Sequence, residues 1–229
     1  MLCDDKQGRH WINLSLGNGK FHDLNGPKVS GWCGHPGSKA QWADVNGDGK
    51  ADLLCDDTVG RHWVLLSNGN GTFVGKGLVL QGWCGHAGAT THYADVNGDG
   101  KADMICDDTA GRHWIRLSNG AGQFPGDLGM VKSGWCGHAG SYSSWADTNG
   151  DGKADLHCDD THGTHWVVTS HIGEAGKASF TGPGMVKKGW CSHPGSHTTW
   201  ADTNGDGSAD MHCDDNAGRH WTLPVHSVQ

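Results

Sequence analysis

Short apolar stretches recur along the chain, and turns rich in Gly, Asn and Asp separate them. One period runs from the apolar lead Gln41-Trp42-Ala43 through the pair Leu53-Leu54 to the run Arg61–Leu66. It closes on a stretch that ends in Gly82-Trp83-Cys84. In a run such as Arg61–Leu66, alternate side chains of a strand point to opposite sides. The pattern predicts four short strands in each period, with turns between them.

The same order of parts returns along the chain, and the period is measured by an acidic loop that starts at Asp44, Asp95, Asp147 and Asp202. The spacings are 51, 52 and 55 residues. Four antiparallel strands in a unit of about 40 to 50 residues are typical of a β-propeller blade. A blade cannot bury both of its faces alone, so neighbouring blades must stack on it. We therefore predict an all-β β-propeller in one domain over 1–229, with repeats at approximately 1–40, 41–91, 92–142, 143–198 and 199–229.

The number of blades is less well specified than their type. Five units combine a Cys-Asp-Asp with a His-Trp pair, but only four acidic loops are present. We expect five blades, with strands from both chain ends sharing one blade so that open sheet edges are removed. A four-bladed ring with a spare hairpin, or closure through a second chain, is the alternative. The fourth period has a longer turn, Ser170–Ser179, which we expect to protrude.

Composition agrees with short strands and many tight turns. The chain has 229 residues, of which 39 are Gly and only 35% are hydrophobic. No apolar run is long enough for a membrane span, and no basic stripe points to nucleic acid. No secretory leader is visible at Met1–Asp5, so the sequence is that of a mature secreted form or of a cytosolic chain.

The acidic loop has the pattern of a calcium site. It reads D-x-N-x-D-G-x-x-D, with oxygen side chains at loop positions 1, 3, 5 and 9 and a Gly at position 6, as in the first half of an EF-hand loop. A backbone carbonyl at position 7 would complete the ligands, and the position-9 Asp must close the site because position 12 is Cys. The predicted calcium ligands are Asp44, Asn46, Asp48, Lys50 and Asp52; Asp95, Asn97, Asp99, Lys101 and Asp103; Asp147, Asn149, Asp151, Lys153 and Asp155; and Asp202, Asn204, Asp206, Ser208 and Asp210.

The net charge supports this interpretation. Metal-free Asn-Gly and Asp-Gly turns are the alternative, but turns do not require three carboxylates at fixed spacing, and such like charges repel without a cation. Four Ca²⁺ ions would bring the formal net charge of −8 to zero. Magnesium suits a flexible, carboxylate-rich loop less well than calcium does. We expect about four structural Ca²⁺ ions.

The repeat resembles a known family. Ala43-Asp44-Val45-Asn46-Gly47-Asp48-Gly49-Lys50-Ala51-Asp52-Leu53, followed by Gly-x-Phe as in Gly71-Thr72-Phe73, resembles the FG-GAP (VCBS-type) repeats of integrin α-subunit propellers. The short free-standing form is similar to mushroom and bacterial propeller lectins, some of which bind N-acetylglucosamine or related sugars between adjacent blades. The resemblance implies structural calcium inside each blade, with sugar sites separate from it. The Cys-Asp-Asp, His-Trp and Trp-Cys-Gly-His elements are departures from the general repeat.

Nine cysteines alternate between Trp-Cys and Cys-Asp-Asp contexts, and each Trp-Cys lies 22 residues before the next Cys-Asp-Asp. This constant step predicts the pairs Cys33–Cys55, Cys84–Cys106, Cys136–Cys158 and Cys191–Cys213. Cys3 is left over, as a free thiol or as a bridge to a second copy of the chain. Buried free thiols are the alternative, and a zinc site is less favoured because no Cys-x-x-Cys occurs. Four bridges would point to an oxidising, extracellular location.

Histidine and tryptophan supply the candidate sugar chemistry, since the chain has 17 His and 12 Trp but only 2 Tyr. A sugar stacks its apolar face on an indole, and its hydroxyls need fixed donors and acceptors. We expect the Trp-Cys-Gly-His and Cys-Asp-Asp turns to meet in pockets between blades. The predicted sugar-binding residues are Trp32, His35, Asp56, Asp57 and Arg61; Trp83, His86, Asp107, Asp108 and Arg112; Trp135, His138, Asp159 and Asp160; and Trp190, His193, Asp214, Asp215 and Arg219.

A structural role competes with this prediction at several positions. The His-Trp pairs such as His62-Trp63 favour core packing, with the imidazole bonded to backbone. The Asp pairs are equally well explained as turn caps. The Trp-Cys-Gly-His set lies in Gly-rich turns, which are usually exposed, and this favours function.

Taken together, the sequence favours a calcium-stabilised, multivalent lectin for glycans such as those with amino sugars. An integrin-like protein-binding adhesion module and an accessory domain of a larger enzyme are the alternatives. Near-identical periods and the absence of Gly-x-Ser-x-Gly, His-Glu-x-x-His or a lone catalytic Cys argue against an enzyme.

Overall fold

Turn-forming residues divide the chain into short antiparallel strands. The computed structural model of the protein describes residues 1–22, 25–173 and 177–225. Every element found there is a β-strand, which confirms the all-β prediction. The strands are β1 (Leu2–Asp4), β2 (His10–Ile12), β3 (Leu14–Ser15), β4 (Phe21–His22), β5 (Ser38–Ala43), β6 (Asp52–Asp57), β7 (Arg61–Ser67), β8 (Phe73–Gln81), β9 (Ala89–Ala94), β10 (Asp103–Asp108), β11 (His113–Leu117), β12 (Gly126–Lys132), β13 (Ser141–Ala146), β14 (Asp155–Asp160), β15 (Thr164–Ile172), β16 (Ala178–Lys188), β17 (His197–Ala201), β18 (Asp210–Asp214) and β19 (His220–Leu223).

The strands assemble into β-propeller blades in chain order. Strands β5–β8, β9–β12 and β13–β16 form four-stranded sheets, and β17–β19 form a three-stranded sheet. Four blades are thus detected among the described residues. Strands β1–β2 and β3–β4 form two further pairs. The prediction of a fifth blade goes beyond these sheets and stays a prediction.

The second strand of each four-stranded blade is its buried centre. All six residues of β6, β10 and β14 are buried. In β7, the third strand of its blade, burial alternates instead along Arg61–Val64. A β-bulge between His62 and Trp63 shifts the pairing of β7 with β8, so that Trp63 lies opposite Leu78. These two strand types separate a buried face from a partly exposed one.

The chain divides into two compact units, Met1–Ala89 with Ser118–Pro125, and Thr90–Leu117 with Gly126–Gln229. The first unit buries Val45, Leu53, Leu54 and Val64, and each such side chain contributes about 1.5–3 kcal/mol. The prediction of a single domain stays a prediction. The core cluster of the second unit consists of Val96, Ile105, Ile115, Ala154, Leu156, Val168, Ile172 and Phe180.

The ends of the longer turn of the fourth period belong to strands. Strand β15 continues to Ile172 and β16 starts at Ala178, and Ile172 is buried in the core cluster. That the turn protrudes stays a prediction. Residues 174–176 lie outside the described part of the chain.

The cysteine pairing follows the prediction. Bonds join Cys33 to Cys55, Cys136 to Cys158 and Cys191 to Cys213, with Cα atoms 5.3–5.4 Å apart, within the usual range. Cys84 and Cys106 are disulfide-bonded as well. Cys3 is a free, exposed thiol.

Candidate functional site

Each Trp-Cys-Gly turn is locked against the turn that precedes His-Trp. The Cys residues of these turns (Cys33, Cys84, Cys136 and Cys191) adopt positive φ angles of 53–59°. Gly60 has a φ of 76°, and a Cβ atom there would lie 2.2 Å from the carbonyl oxygen of Trp83. A Cβ atom on Gly85 would lie 2.5 Å from the backbone of Val59. The recurring glycines therefore permit close backbone packing that fixes both turns.

In the first four Cys-Asp-Asp segments, the first Asp contacts a buried histidine. Oδ1 of Asp107 lies 2.7 Å from Nδ1 of His113, and Nε2 of that ring lies 3.0 Å from the carbonyl oxygen of Trp135. Nε1–H of Trp145 donates to Oδ2 of Asp107 at 2.8 Å. The same arrangement joins Asp4, His10, Trp32 and Trp42, and Asp159, His165, Trp190 and Trp200.

The hydrogen bonds of this network act on the carboxyl of Asp107. Burial would raise the pKa of Asp107, but the hydrogen bond and charge of His113, together with the charge of His92, outweigh burial and hold that pKa below its usual value. Asp107 is thus a buried carboxylate that faces the ring of His113. Its oxygens already accept several hydrogen bonds within the protein.

The second Asp of each pair organises a more open cluster. Asp57 accepts backbone N–H bonds from Val59 and Arg61, and Nε of Arg61 donates to its Oδ2 at 2.6 Å. Burial would raise the pKa of Asp57, but these bonds to Arg61 and Val59 and the guanidinium charge lower it. Nε2 of His35 lies 3.4 Å from the same oxygen, although the pair does not have hydrogen-bond geometry. Strand β6, strand β7 and the turn before β5 thus meet at one carboxylate.

Trp63 forms the apolar part of this cluster. The guanidinium of Arg61 lies over its indole, 5.3 Å from the ring centroid, and the ring of His35 meets it edge-on at 5.2 Å. Leu78, opposite Trp63 on β8, is 47% exposed. We call His35, Asp57, Arg61 and Trp63 the His-Asp-Arg-Trp cluster.

The cluster recurs in the second unit. His193, Asp215, Arg219 and Trp221 repeat it, and backbone N–H bonds from Arg219 lower the pKa of Asp215 to about 2. In the β13–β16 blade Thr164 stands where Arg61 stands, while His138, Asp160 and Trp166 keep their places.

A pocket of about 470 Å³ opens between the first strand pair and the turn that leads into β5. One wall is the turn after β1, formed by Asp4, Asp5 and Lys6. The facing wall consists of residues 33–38 and Ala40, and it includes His35. The volume is within the range of small-ligand sites.

The predicted sugar residues separate into two groups. The turn histidines His35, His138 and His193 lie within 3.3–3.6 Å of the second Asp of their periods, as the prediction of a shared site requires. One predicted set is divided between the two units: the first unit contains Trp83 and His86, and the second contains Asp107, Asp108 and Arg112. Asp108 is bonded to Arg112 as Asp57 is to Arg61. The other predicted residues contact the histidines of the His-Trp pairs. Asp56, Asp107 and Asp159 are buried, whereas Asp214 pairs with His220 at the surface. The backbone carbonyl oxygens of Trp32, Trp83, Trp135 and Trp190 accept from imidazoles.

Trp63, Trp166 and Trp221 are the cluster residues that sequence reasoning placed in the core. The signal for them lies in strand alternation, because Trp63 pairs with Cys55 on the opposite face from His62 and Asp56.

The acidic loops fold alike. Oδ1 of Asp44 accepts the N–H of Gly47 at 2.7 Å, and Oδ2 accepts the N–H of Gly49 at 2.6 Å. Asp52 is buried and accepts the N–H groups of Val45 and Ser67. Burial, together with the charges of Asp44 and Asp48, raises the pKa of Asp52. The loop therefore concentrates negative charge around a preformed turn.

The donor set of these loops fits a hard cation, because it offers carboxylate, amide and carbonyl oxygens. Nζ of Lys50 lies 2.9 Å from Asp48, and Nζ of Lys101 lies 2.8 Å from Asp99, so in two loops an ammonium partly offsets the charge. In residues 1–22, 25–173 and 177–225, no group of three His, Cys, Asp or Glu side chains is arranged to hold a metal. Calcium binding stays a prediction.

Comparisons with known proteins give the fold a context. A family profile described as FG-GAP-like repeat matches residues 44–106 and 95–158. No curated protein matches the chain. Over the part of the chain that is described, no helix has the length and apolarity to span a bilayer.

The solved structures that are similar to the chain include the following two. One is a lectin of Agrocybe aegerita that recognises non-reducing terminal N-acetylglucosamine: it is 22% identical with a TM-score of 0.63, over 98% of this chain and 65% of that one. The other is the Tc holotoxin pore of Photorhabdus luminescens, which is 18% identical with a TM-score of 0.60, over 98% of this chain and 11% of that one. The chain thus spans less than two thirds of either protein, and at these identities the likeness concerns the fold alone.

Proposed function

Because the chain belongs to the FG-GAP-like repeat family, we propose that it is a carbohydrate-binding protein with sugar sites repeated from blade to blade. The observation that carries the proposal is the repetition of the His-Asp-Arg-Trp cluster. His35, Asp57 and Arg61 gather donors and an acceptor around the indole of Trp63. An apolar ring edged by fixed polar groups is the chemistry that sugar hydroxyls and C–H faces require.

The ligand class we favour is a glycan with an N-acetylated amino sugar. The exposed Leu78, Met130 and Met185 lie opposite Trp63, Trp114 and Trp166, and each would accept the methyl group of an acetamide. The fold shared with the Agrocybe aegerita lectin is further support. Several equivalent weak sites on one chain would raise avidity by about 10²–10⁴.

Structural calcium is part of the proposal. Asp44, Asn46, Asp48, the carbonyl of Lys50 and Asp52 would hold one ion, and the corresponding residues of the other three loops would hold the rest. Bound calcium would neutralise the charge that now raises the pKa of Asp52. The ion would stabilise the loops and take no part in sugar contact.

Two finer points of architecture and location belong to the proposal. We expect five blades in a closed ring, with sugars bound between neighbouring blades, and the five His-Trp pairs support that number. The disulfide-bonded cysteines support an extracellular location. Exposed Cys3 would allow a covalent homo-oligomer.

The test combines a glycan array with variants of the turn histidines. We expect wild-type protein to bind amino-sugar glycans, and His35→Ala, His138→Ala and His193→Ala to weaken binding about tenfold per site, since each removes one polar contact worth roughly 1.4 kcal/mol. Titration calorimetry with N-acetylglucosamine measures the loss. The control His22→Ala changes an exposed histidine on β4, away from any cluster, and should bind as wild type.

Two outcomes would count against the proposal. Array signals at background for all amino sugars, fucose and galactose would favour the adhesion-module alternative. Equal binding by the triple variant and by wild type would remove the His-Asp-Arg-Trp cluster from sugar contact.

A further inference from the structure

The pocket beside β1 is lined by a Cys-Asp-Asp turn whose next residue is charged, unlike the residues at this place in the later turns. Its lining includes two carboxylates, of Asp4 and Asp5, and one ammonium, of Lys6. The corresponding residue after the Asp pair is Thr58, Thr109, Thr161 or Asn216 in the later periods. Only this first turn therefore adds a cation to the site.

Both carboxylates of the pocket already have hydrogen-bond partners within the protein. Oδ2 of Asp5 accepts from Nε of Arg9 at 2.6 Å, and its Oδ1 accepts the N–H groups of Gln7 and Arg9. Asp4 pairs with His10, and its Oδ2 accepts from Nε1 of Trp42. The two ring nitrogens of His10 lie 2.6 Å from Oδ1 of Asp4 and 2.9 Å from the carbonyl oxygen of Trp32.

Lys6 is left without a counter-charge. Its side chain is exposed, and it makes no ion pair or hydrogen bond among residues 1–22, 25–173 and 177–225. The hydroxyl of Ser38, another polar group of the pocket, donates to the carbonyls of Cys33 and His35. Nε2 of His35 lies 3.4 Å from Asp57, without hydrogen-bond geometry. Within the described part of the chain, Lys6 thus contributes an unpaired ammonium to the 470 Å³ pocket.

We propose that this pocket selects a sugar that carries an anionic substituent, a carboxylate or a sulfate, and that Lys6 is the specificity-determining residue. The inference rests on the proposed carbohydrate-binding function. An ammonium on a flexible stem is a point charge with three donors, so it accommodates either anion without a fixed fork geometry. The later periods, which have neutral residues at this place, would prefer neutral sugars.

The experiment measures binding of glucuronic acid, N-acetylglucosamine 6-sulfate and neutral N-acetylglucosamine by calorimetry and by amide chemical shifts. We expect the acidic sugars to bind about five- to tenfold more tightly than the neutral one at low salt, with shifts centred on residues 4–6 and 33–38. This preference should shrink as salt rises, because exposed charges are screened. A response to one acidic sugar alone would assign the pocket to that anion.

Variants isolate the charge of Lys6. Lys6→Thr introduces the residue of the later periods and should abolish the preference, while Lys6→Arg should retain it. The control Lys20→Thr removes the same charge from an exposed position outside the pocket and should keep the preference.

The outcomes separate this inference from the function on which it rests. If neutral sugars bind and the acidic ones bind no better, or if Lys6→Thr keeps the preference, the inference alone is overturned. If no sugar of either kind binds to wild-type protein, the proposed function fails and the inference fails with it.

Discussion

At the scale of single residues, the buried histidines differ in their hydrogen-bond partners. His113 and its counterparts place both ring nitrogens against acceptors and next to a carboxylate. His157 is also fully buried, but Nδ1 is 3.5 Å from the hydroxyl of Ser144 and Nε2 has no partner in the described residues. Burial lowers the pKa of His157 to about 3, so this ring is neutral. His157 and the carboxylate-bonded His165 therefore lie in one blade with different partners.

The neutral ring gives a pH-dependent stability. In the unfolded chain His157 gains a proton below pH 6.5, whereas the folded chain takes it up only near pH 3. Stability is therefore lost as pH falls from about 6.5 towards 3, by at most about 1.4 kcal/mol per pH unit from this residue. His157→Leu, which matches Leu54 of the β5–β8 blade, should flatten the curve of unfolding free energy between pH 6.5 and 4.

Denaturant unfolding at several pH values, with calcium held constant, measures the effect. His22→Leu is the control, because His22 is exposed on β4 and should titrate alike in both states. Parallel curves for wild type and His157→Leu would mean that the buried ring is charged.

At the scale of elements, the Gly-Arg-His-Trp turn shows how a neighbouring turn determines the free-energy cost of replacing a glycine by a residue with a side chain. Gly60 and Gly218 have nearly the same φ, 76° and 73°. A Cβ atom on Gly60 would collide with the Trp83 carbonyl at 2.2 Å, while one on Gly218 would meet nothing within 4 Å. His220 is likewise 72% exposed, whereas His62 is buried. A Trp-Cys turn thus covers the Gly-Arg-His-Trp turn at Gly60, whereas the corresponding turn at Gly218 is open.

Alanine substitutions of Gly60 and Gly218 distinguish the cost of a steric collision from the cost of backbone strain. Gly218→Ala should cost about 1–2 kcal/mol from the left-handed conformation alone. Gly60→Ala carries the same cost and adds about 1–3 kcal/mol, because backbone atoms must move apart. Chemical denaturation of both variants measures the difference, and equal destabilisation would show that the turns do not interlock as described.

At the scale of the whole molecule, the acidity of the chain is concentrated in four loops. Asp44, Asp48 and Asp52 and their counterparts supply twelve of the 25 acidic residues. The loops are also joined along the chain, since the N–H of Ala154 donates to the carbonyl of Asp95 and that of Ala209 to the carbonyl of Asp147. A cation in one loop would therefore be expected to stabilise its neighbour as well.

Removal of calcium should lower thermal stability. An ion at a hundredfold excess over its dissociation constant contributes about 2.7 kcal/mol for one site, which corresponds to roughly 5–10 °C in Tm for a chain of this size. Asp99→Ala should produce part of the same decrease, and a chelator should then have less additional effect. Differential scanning calorimetry provides the measurement.

Asp127→Ala is the control, because Asp127 pairs with Arg116 outside any acidic loop. It should leave the response to chelator unchanged, and magnesium should not restore the lost stability. A melting curve that chelation does not move would exclude calcium as a structural ion.

The sequence by itself determined the elements that depend on local and repeated chemistry. Strand period, turn residues and the constant 22-residue step indicated the blades and the cysteine pairs, because these features rest on spacing along the chain. The meeting of His35 with Asp57 also followed from strand order. Only the tertiary structure decided between the two members of each Asp pair. Successive residues of a strand face opposite sides, so Asp56 is enclosed with His62 while Asp57 holds Arg61 near the indole of Trp63.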